Sequence, residues 1–410
     1  MKIWMIGARG SIATTTAAGM IAAQEKLLPL EGVITAGDDF ASSELASLEA
    51  IEFGGCDLRA DTLGNAVLTS AFTRSTFAEP VLRRVAARLE GCPITLGIVR
   101  GAGPALATLA GSDADELRGE SARDAIARIG KDLEAAAGGD SMVVINVAST
   151  EGPHDAALDR WDLAAFERAL DQDDPRIPAS SLYAYAAITA GLPYVNFTPS
   201  TGASIPALVE LSRIMGVPIA GRDGKTGETL VKTALAPMFA IRALTVEGWY
   251  GTNILGNTDG LVLSHSENQT TKVASKSGVL EGCLGYAPSG AVRIDYFPPL
   301  QDNKVAWDFI VFRGWGGHTM RMQFIWEGTD AILAAPLLID LARLIDLARR
   351  RGESGPVGAL GLFFKSPEGT KEMNLHRQYE ALLTWLAREE SHAEGEVVPT
   401  EGARASYAGH

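Results

Sequence analysis

The sequence predicts an α/β protein: a doubly wound, largely parallel sheet covered on both faces, interrupted late in the chain by an α+β insertion. Short, continuous apolar runs alternate with longer stretches of helical periodicity through the first half of the chain, the pattern of strands buried on both faces. A glycine turn follows the first run at once. From Leu244 to Trp326 the pattern changes to alternating, aromatic-rich segments, which suit an antiparallel sheet with one open face.

In chain order, the runs Ile3–Ala8, Gly32–Gly37, Ile94–Val99, Met142–Ser149, Tyr194–Thr198 and Val217–Gly221 predict the strands of the first sheet. Apolar residues three and four apart predict helices over Phe72–Leu89 and Ser180–Ala190. Beyond Gly224, the segments Arg293–Tyr296, Val305–Phe312 and Thr319–Trp326 predict the second sheet. A helix over Thr329–Arg351 follows, closed by Arg349, Arg350 and Arg351 beside Gly352, with cations at the negative end of its dipole and a glycine stop. That helix is expected to pack back on the first sheet. The expected units are therefore residues 1–225 with 331–390, an inserted unit over 226–330, and a flexible tail over 391–410.

Composition removes several function classes. The 410 residues are 46% hydrophobic and 21% charged, which excludes disorder for the bulk of the chain. The net charge of −14 speaks against nucleic acid and anionic membranes as partners, since phosphates demand clustered cations. Cys56, Cys92 and Cys283 lie far apart and form no even framework, as in a reducing cytoplasm. The apolar opening at Lys2–Ile6 is too short for a signal peptide. The longest apolar stretch, Ala331–Ala348, carries Asp340, Arg343 and Asp346 at helical spacing, which reads as an amphipathic packed helix and not a membrane span. No histidine or cysteine cluster, nucleophile elbow or P-loop is present.

Three sets of residues carry chemistry. Gly7-Ala8-Arg9-Gly10-Ser11-Ile12-Ala13 follows the first predicted strand and opens a helix, where glycines admit a pyrophosphate and free N–H groups meet it. Asp38 and Asp39, 25 and 26 residues beyond Ala13, stand where a carboxylate accepts ribose hydroxyls and repels the extra phosphate of NADP; a helix N-cap reads equally well. Asn146–Glu151, with Ala148 and Ser149, ends another strand on the expected cofactor side.

Lysine usage is lopsided. Only 10 of the 36 basic residues are Lys, and six of those ten are Lys225, Lys232, Lys272, Lys276, Lys304 and Lys365, all in polar, turn-like settings. An ammonium, unlike a guanidinium, can be tuned to shuttle a proton. Crowding by other cations is expected to lower such lysines toward a working acid–base range. Lys272 and Lys276 share a helix face at i, i+4, an arrangement relieved by an anion between them. Finally, Asn196–Pro206 (with Thr198, Ser200, Thr201, Gly202 and Ala203) and Asn253–Gly260 (with Asn253, Asn257 and Asp259) offer hydroxyls, amides and backbone N–H groups to a polyhydroxylated or phosphorylated ligand.

Together, Asn196–Pro206, Gly224–Thr233, Asn253–Gly260, Ser275-Lys276, Asp302-Asn303-Lys304 and Phe363-Phe364-Lys365-Ser366-Pro367 resemble the myo-inositol-1-phosphate synthases, the archaeal form more than the longer eukaryotic one. The resemblance implies a Rossmann NAD-binding domain, an inserted α+β domain for catalysis and homotetramer assembly, NAD as cofactor, and a monovalent or divalent cation in some members. It implies Lys272, Lys276, Lys304 and Lys365 as catalytic lysines with Asp223 and Asp259 as partners, the two aspartates also near the cofactor. Lys225, Thr229, Asn253, Asn257 and Thr201–Ala203 would contact a sugar phosphate. The implied reaction oxidises glucose 6-phosphate at C5, closes C6 onto C1 as an aldol, and returns the hydride. A relative closing a five-membered ring from fructose 6-phosphate, and a plain dehydrogenase or sugar-phosphate binder, are the alternative readings.

Overall fold

The computed structural model describes residues 1–101, 110, 114–256 and 279–388. The tail expected over 391–410 lies outside them. Strands β1 (Lys2–Ile6), β2 (Glu52–Asp57), β3 (Asp61–Thr62), β4 (Pro93–Leu96), β5 (Met142–Asn146), β6 (Tyr194–Asn196), β7 (Pro218–Gly221) and β12 (Gly355–Pro356) form one sheet in the order β12-β7-β6-β5-β1-β2-β4-β3. All its pairings are parallel except β3 with β4. The chain runs outward from β1 through β2, then returns to β5 on the other side of β1. The crevice between the carboxyl ends of β1 and β5 is thus the topological switch point where such sheets bind ligands.

Helices cover both faces. α1 (Ser11–Gln24), α2 (Leu63–Thr69), α3 (Ala71–Thr76) and α4 (Glu79–Leu89) lie on one face; α5 (Ala122–Ala137), α6 (Leu163–Asp171), α7 (Ala179–Thr189) and α8 (Pro206–Ile214) lie on the other. The single helix predicted over Phe72–Leu89 is two, broken at Phe77-Ala78 before Pro80, which suits only a first turn. Four strands form the second sheet: β8 (Thr245–Leu255), β9 (Ser289–Tyr296), β10 (Asn303–Arg313) and β11 (Thr319–Thr329), ordered β11-β10-β8-β9. β10 pairs antiparallel with β8 and β11, but β9 runs parallel to β8, so the expected antiparallel sheet is mixed. The long stretch between β8 and β9 in sequence allows that crossover. α9 (Gly227–Ile241) packs Ala236 and Phe239 on Val246, Trp249, Ile310 and Phe312 of one face. The other face carries Tyr250, Trp307, Phe309 and Ile325, with rings of Tyr250 and Trp307 6.1 Å apart.

The helix α10 (Asp330–Arg350) returns to the first sheet and packs beside α1, followed by α11 (Leu375–Leu386). Its polar stripe is itself buried. Asp340 is 0% exposed and accepts the Thr35 N–H at 2.9 Å and the Ile34 N–H at 3.2 Å, while Arg343 donates to the Thr35 and Ala46 carbonyls. The stripe holds down the 33–46 segment. That segment is where the second strand was expected. Gly32–Gly37 instead carries a 3₁₀ turn, Ile34–Ala36, followed by Asp38–Phe40. The real second strand, β2, reads as a loop in sequence because Gly54 and Gly55 interrupt it. They are required there: a Cβ on Gly55 would overlap the Met5 carbonyl and come 2.6 Å from Ala8 Cβ.

Candidate active site

The glycine turn between β1 and α1 forms as the sequence predicts. Gly7 takes φ +86°, and a Cβ there would stand 2.7 Å from Ala148 Cα across the crevice. Gly7 and Ala8 donate their N–H groups to the Cys56 carbonyl at 2.9 and 3.1 Å, and Arg9 N–H donates to Asp57 Oδ2 at 2.8 Å. No side chain caps α1 at Gly10, so the first-turn N–H groups around Ser11 and Ile12 lie open to an anion. This turn fits the pyrophosphate of a dinucleotide.

Asp38 does not hold the place its spacing predicts. It is exposed on the 3₁₀ turn, and its neighbour Asp39 accepts a hydrogen bond from Tyr379 at 2.6 Å. The carboxylate at the end of the second strand is Asp57, which also accepts Leu58 N–H at 2.7 Å. Burial raises its pKa, against the two backbone donors and the charge of Arg9 and Arg59. Across the crevice, Asn146 Oδ1 accepts Ala148 N–H at 3.1 Å, with Ser149 exposed at the same edge. Asn196 Oδ1 accepts the Thr198 hydroxyl at 2.8 Å, and Thr198 Oγ1 accepts Ser200 N–H at 3.1 Å. Thr201 pairs with His154 at 3.1 Å, Gly202 N–H donates to Ser180 Oγ at 2.9 Å, and Ala203 is buried in the core. The polar groups of this loop are largely committed to the loop itself and to the neighbouring 146–154 and 180–181 segments.

Two of the lysines, Lys365 and Lys304, meet carboxylates near the carboxyl end of β7. Phe363–Glu368 zips along residues 221–225: Lys365 N–H donates to Asp223 O at 2.7 Å, and Lys225 N–H to Phe363 O at 2.8 Å. This ribbon brings Lys365 Nζ to 2.7 Å from Asp223 Oδ1, the pair being 12% and 6% exposed. Burial pulls the ammonium pKa down, but the charge and hydrogen bond of Asp223, with Asp330 and Glu228 beyond, outweigh it and hold Lys365 above its ordinary range. The expected lowering by neighbouring cations is therefore reversed, because the fold surrounds this lysine with carboxylates. Lys304, on β10, lies 3.2 Å from Asp330 Oδ2. Gly227, at φ +51°, opens α9 beside them, its Cβ position 3.6 Å from Lys304 Nζ. α9 too has no side-chain cap.

Lys225 goes elsewhere. Its Nζ is buried and donates to Gln378 Oε1 at 2.5 Å, and burial, against a small opposing effect of Cys283, lowers it to about 8. Lys232 and Glu228 form a fully buried pair, and Glu228 also accepts Asn253 Nδ2. The buried Thr229 hydroxyl and Asn253 Oδ1 have no partner among the described residues. Lys272, Lys276, Asn257 and Asp259 lie outside the described residues. Among the described residues no group of three or more His, Cys, Asp or Glu stands ready for a metal ion. Sequence reasoning missed Asp57, Asp330 and Glu228. Asp330 opens a helix, and there an acid reads as a dipole partner, which hides its pairing with Lys304.

A family model described as myo-inositol-1-phosphate synthase matches residues 1–387. The chain belongs to that family. Membership makes it an isomerase-type enzyme with an NAD-binding domain. It is 34% identical to inositol-3-phosphate synthase 1 of Bacteroides thetaiotaomicron over 398 residues, 90% of this chain and 89% of the relative. The fold is shared with the inositol-3-phosphate synthase of Caenorhabditis elegans (TM-score 0.79, 22% identity, covering 94% of this chain and 84% of that one). It is shared equally with a myo-inositol-1-phosphate synthase-related protein of Thermotoga maritima (TM-score 0.78, 23% identity, 94% and 98%). The glycine turn and the Lys365 ribbon both fall within the region that defines the family.

Proposed function

We propose that this protein is an NAD-dependent inositol-3-phosphate synthase that cyclises glucose 6-phosphate. The observation that carries this reading is the convergence of two lysine–aspartate pairs, Lys365–Asp223 and Lys304–Asp330, beside the uncapped start of α9. Gly7–Ile12 would hold the dinucleotide pyrophosphate, Asp57 its ribose, and Ala148, Ser149, Thr198 and Ser200 the far edge of the crevice. When bound, NAD accepts a hydride from C5 of the sugar and later returns it, so no net redox change occurs.

The chain's own groups would do the rest. The start of α9 with Thr226–Thr229 and Lys304 suits the substrate phosphate: N–H groups, a dipole and a cation meet there. Asp223 would take the C5 hydroxyl proton as the hydride leaves. Lys365, held as an ammonium by its carboxylates, stabilises negative charge on the C5 oxygen while the C6 proton passes to the substrate phosphate, C6 attacks C1, and that proton moves on to the C1 oxygen. Lys365 then supplies the proton needed when the C5 hydroxyl is restored. Lys304 is close enough to share in neutralising the phosphate and the oxygen at C1. Lys272, Lys276 and Asp259, outside the described residues, keep the catalytic roles that the family motif implies.

Residues 1–225 with 331–390 then form the cofactor-binding unit, and 226–330 the catalytic and assembly unit. The open apolar face of the second sheet supports a homotetramer. No described helix is long and apolar enough to cross a membrane. The three cysteines are unpaired, which supports a cytoplasmic location.

The test is incubation of purified protein with NAD and glucose 6-phosphate, fructose 6-phosphate serving as the comparison. Inositol by NMR after dephosphorylation, without net NADH, is the expected result. A five-membered cyclitol, or accumulating NADH, would replace this reading.

A further inference from the structure

We infer that Glu228 is a positioning residue that fixes which end of the Asn253 side chain faces the sugar phosphate. The inference rests on the reading of Asn253 as a substrate contact. Glu228 and Lys232 stand at i, i+4 on α9, each side chain 1% exposed, and Lys232 Nζ donates to Glu228 Oε1. The other oxygen, Oε2, accepts Asn253 Nδ2.

A carboxylate only accepts hydrogen bonds, so Asn253 must turn its nitrogen toward Glu228. Its Oδ1 is thereby aimed the other way. That oxygen is buried on a residue with no exposure and has no partner among the described residues. A buried acceptor without a donor is costly, and it is relieved when a ligand supplies one. A sugar hydroxyl is a donor of the right kind. The Thr229 hydroxyl, next in sequence to Glu228, is also buried and has no partner among the described residues.

The surroundings hold Glu228 in place. Gly251 leaves room for it: a Cβ there would lie 2.6 Å from Glu228 Oε1 and 3.1 Å from Asp308 Oδ1. Asp308 is itself fixed by Trp249 Nε1 at 2.6 Å, and the Trp249 ring lies 6.0 Å from Lys232 Nζ. The chain of polarity therefore runs from Lys232 through Glu228 to Asn253. A glutamine at 228 would keep the shape but could present either end of its amide, and Asn253 would lose its imposed orientation.

The experiment compares wild type, Glu228→Gln and the double variant Glu228→Gln/Lys232→Met, which removes both charges of the buried pair. Binding of glucitol 6-phosphate, which has no aldehyde to close on, is read by calorimetry alongside KM and kcat for glucose 6-phosphate. Both variants are expected to bind about tenfold more weakly, the size of one well-made hydrogen bond. KM should rise in step. Among the 2-, 3- and 4-deoxy analogues of glucose 6-phosphate, the one that wild type penalises should be penalised by neither variant. If Glu228→Gln fails to fold, the double variant decides between the outcomes. Binding and discrimination equal to wild type in a folded variant overturn the proposal. Glu228-dependent binding in a protein that forms no inositol phosphate overturns the assigned reaction and leaves the positioning role standing.

Discussion

At the scale of single residues, environment decides what a charged group can do. Lys365 and Lys225 sit two ribbon partners apart, yet one is held above its ordinary pKa and the other lowered to about 8. Lys365 faces carboxylates; Lys225 is buried against the Gln378 amide with the Cys283 thiol nearby. Replacing Lys365 by Ala is therefore expected to cut kcat by about 10²- to 10⁴-fold, while NAD titration followed by fluorescence stays as in wild type. Asp57 should act on the cofactor instead. Asp57→Asn removes the charge that opposes an added ribose phosphate, so the preference for NAD over NADP should narrow by about tenfold or more, read as the ratio of the two dissociation constants.

Glu368 carries a pH signature. Burial lifts its carboxyl to about 7, against the charge of Arg222. The folded value lies above the unfolded one, so the contribution is fully present below about pH 4.5 and is lost as pH rises through 7. Glu368→Gln should match wild type at pH 4 and be more stable at pH 8, by on the order of 2 kcal/mol. Denaturant titrations at the two pH values give the comparison, and equal stabilities at pH 8 would remove the effect.

At the scale of elements, hydrophobic periodicity located β1, β4, β5, β6 and β7 of the first sheet, because continuous apolar runs such as Met142–Asn146 have no other stable place than a sheet covered on both faces. β2 escaped because its centre is Gly54-Gly55, chosen for close approach to Trp4 and Met5 and not for strand propensity. Gly55→Ala is accordingly expected to destabilise the fold by about 1–3 kcal/mol, measured as a lowered denaturation midpoint. The candidate site was legible in part. The lysines stood out by scarcity, but Asp330 and Glu228 did not, since an acid in a first helical turn looks ordinary whatever it pairs with.

At the scale of the whole molecule, α9 leaves the end of β7 and α10 returns to the same sheet, so the second sheet hangs beside the carboxyl edge where the cofactor turn lies. Its outer face, with Trp307 and Ile325 exposed, is too apolar to stand in water without cost in a lone chain. Ile325→Asp is expected to shift the assembly to smaller species in sedimentation velocity, with the first-sheet core still folded by circular dichroism. An unchanged sedimentation coefficient would separate assembly from this face.

The sequence by itself determined the two-sheet architecture, the position of the glycine turn that opens α1 and which lysines stand out as candidates for the site. Each is written in local terms: periodicity over a dozen residues, glycine where a backbone must pass closely, an uneven choice between Lys and Arg. Tertiary structure alone decided that Asp57 and not Asp38 ends the second strand, that Lys365 meets Asp223 from 142 positions away, and that Lys225 is sealed against Gln378. Charge neighbourhoods are set by the whole fold, because field strength depends on distance through space and on excluded water, and neither is recorded in the order of residues.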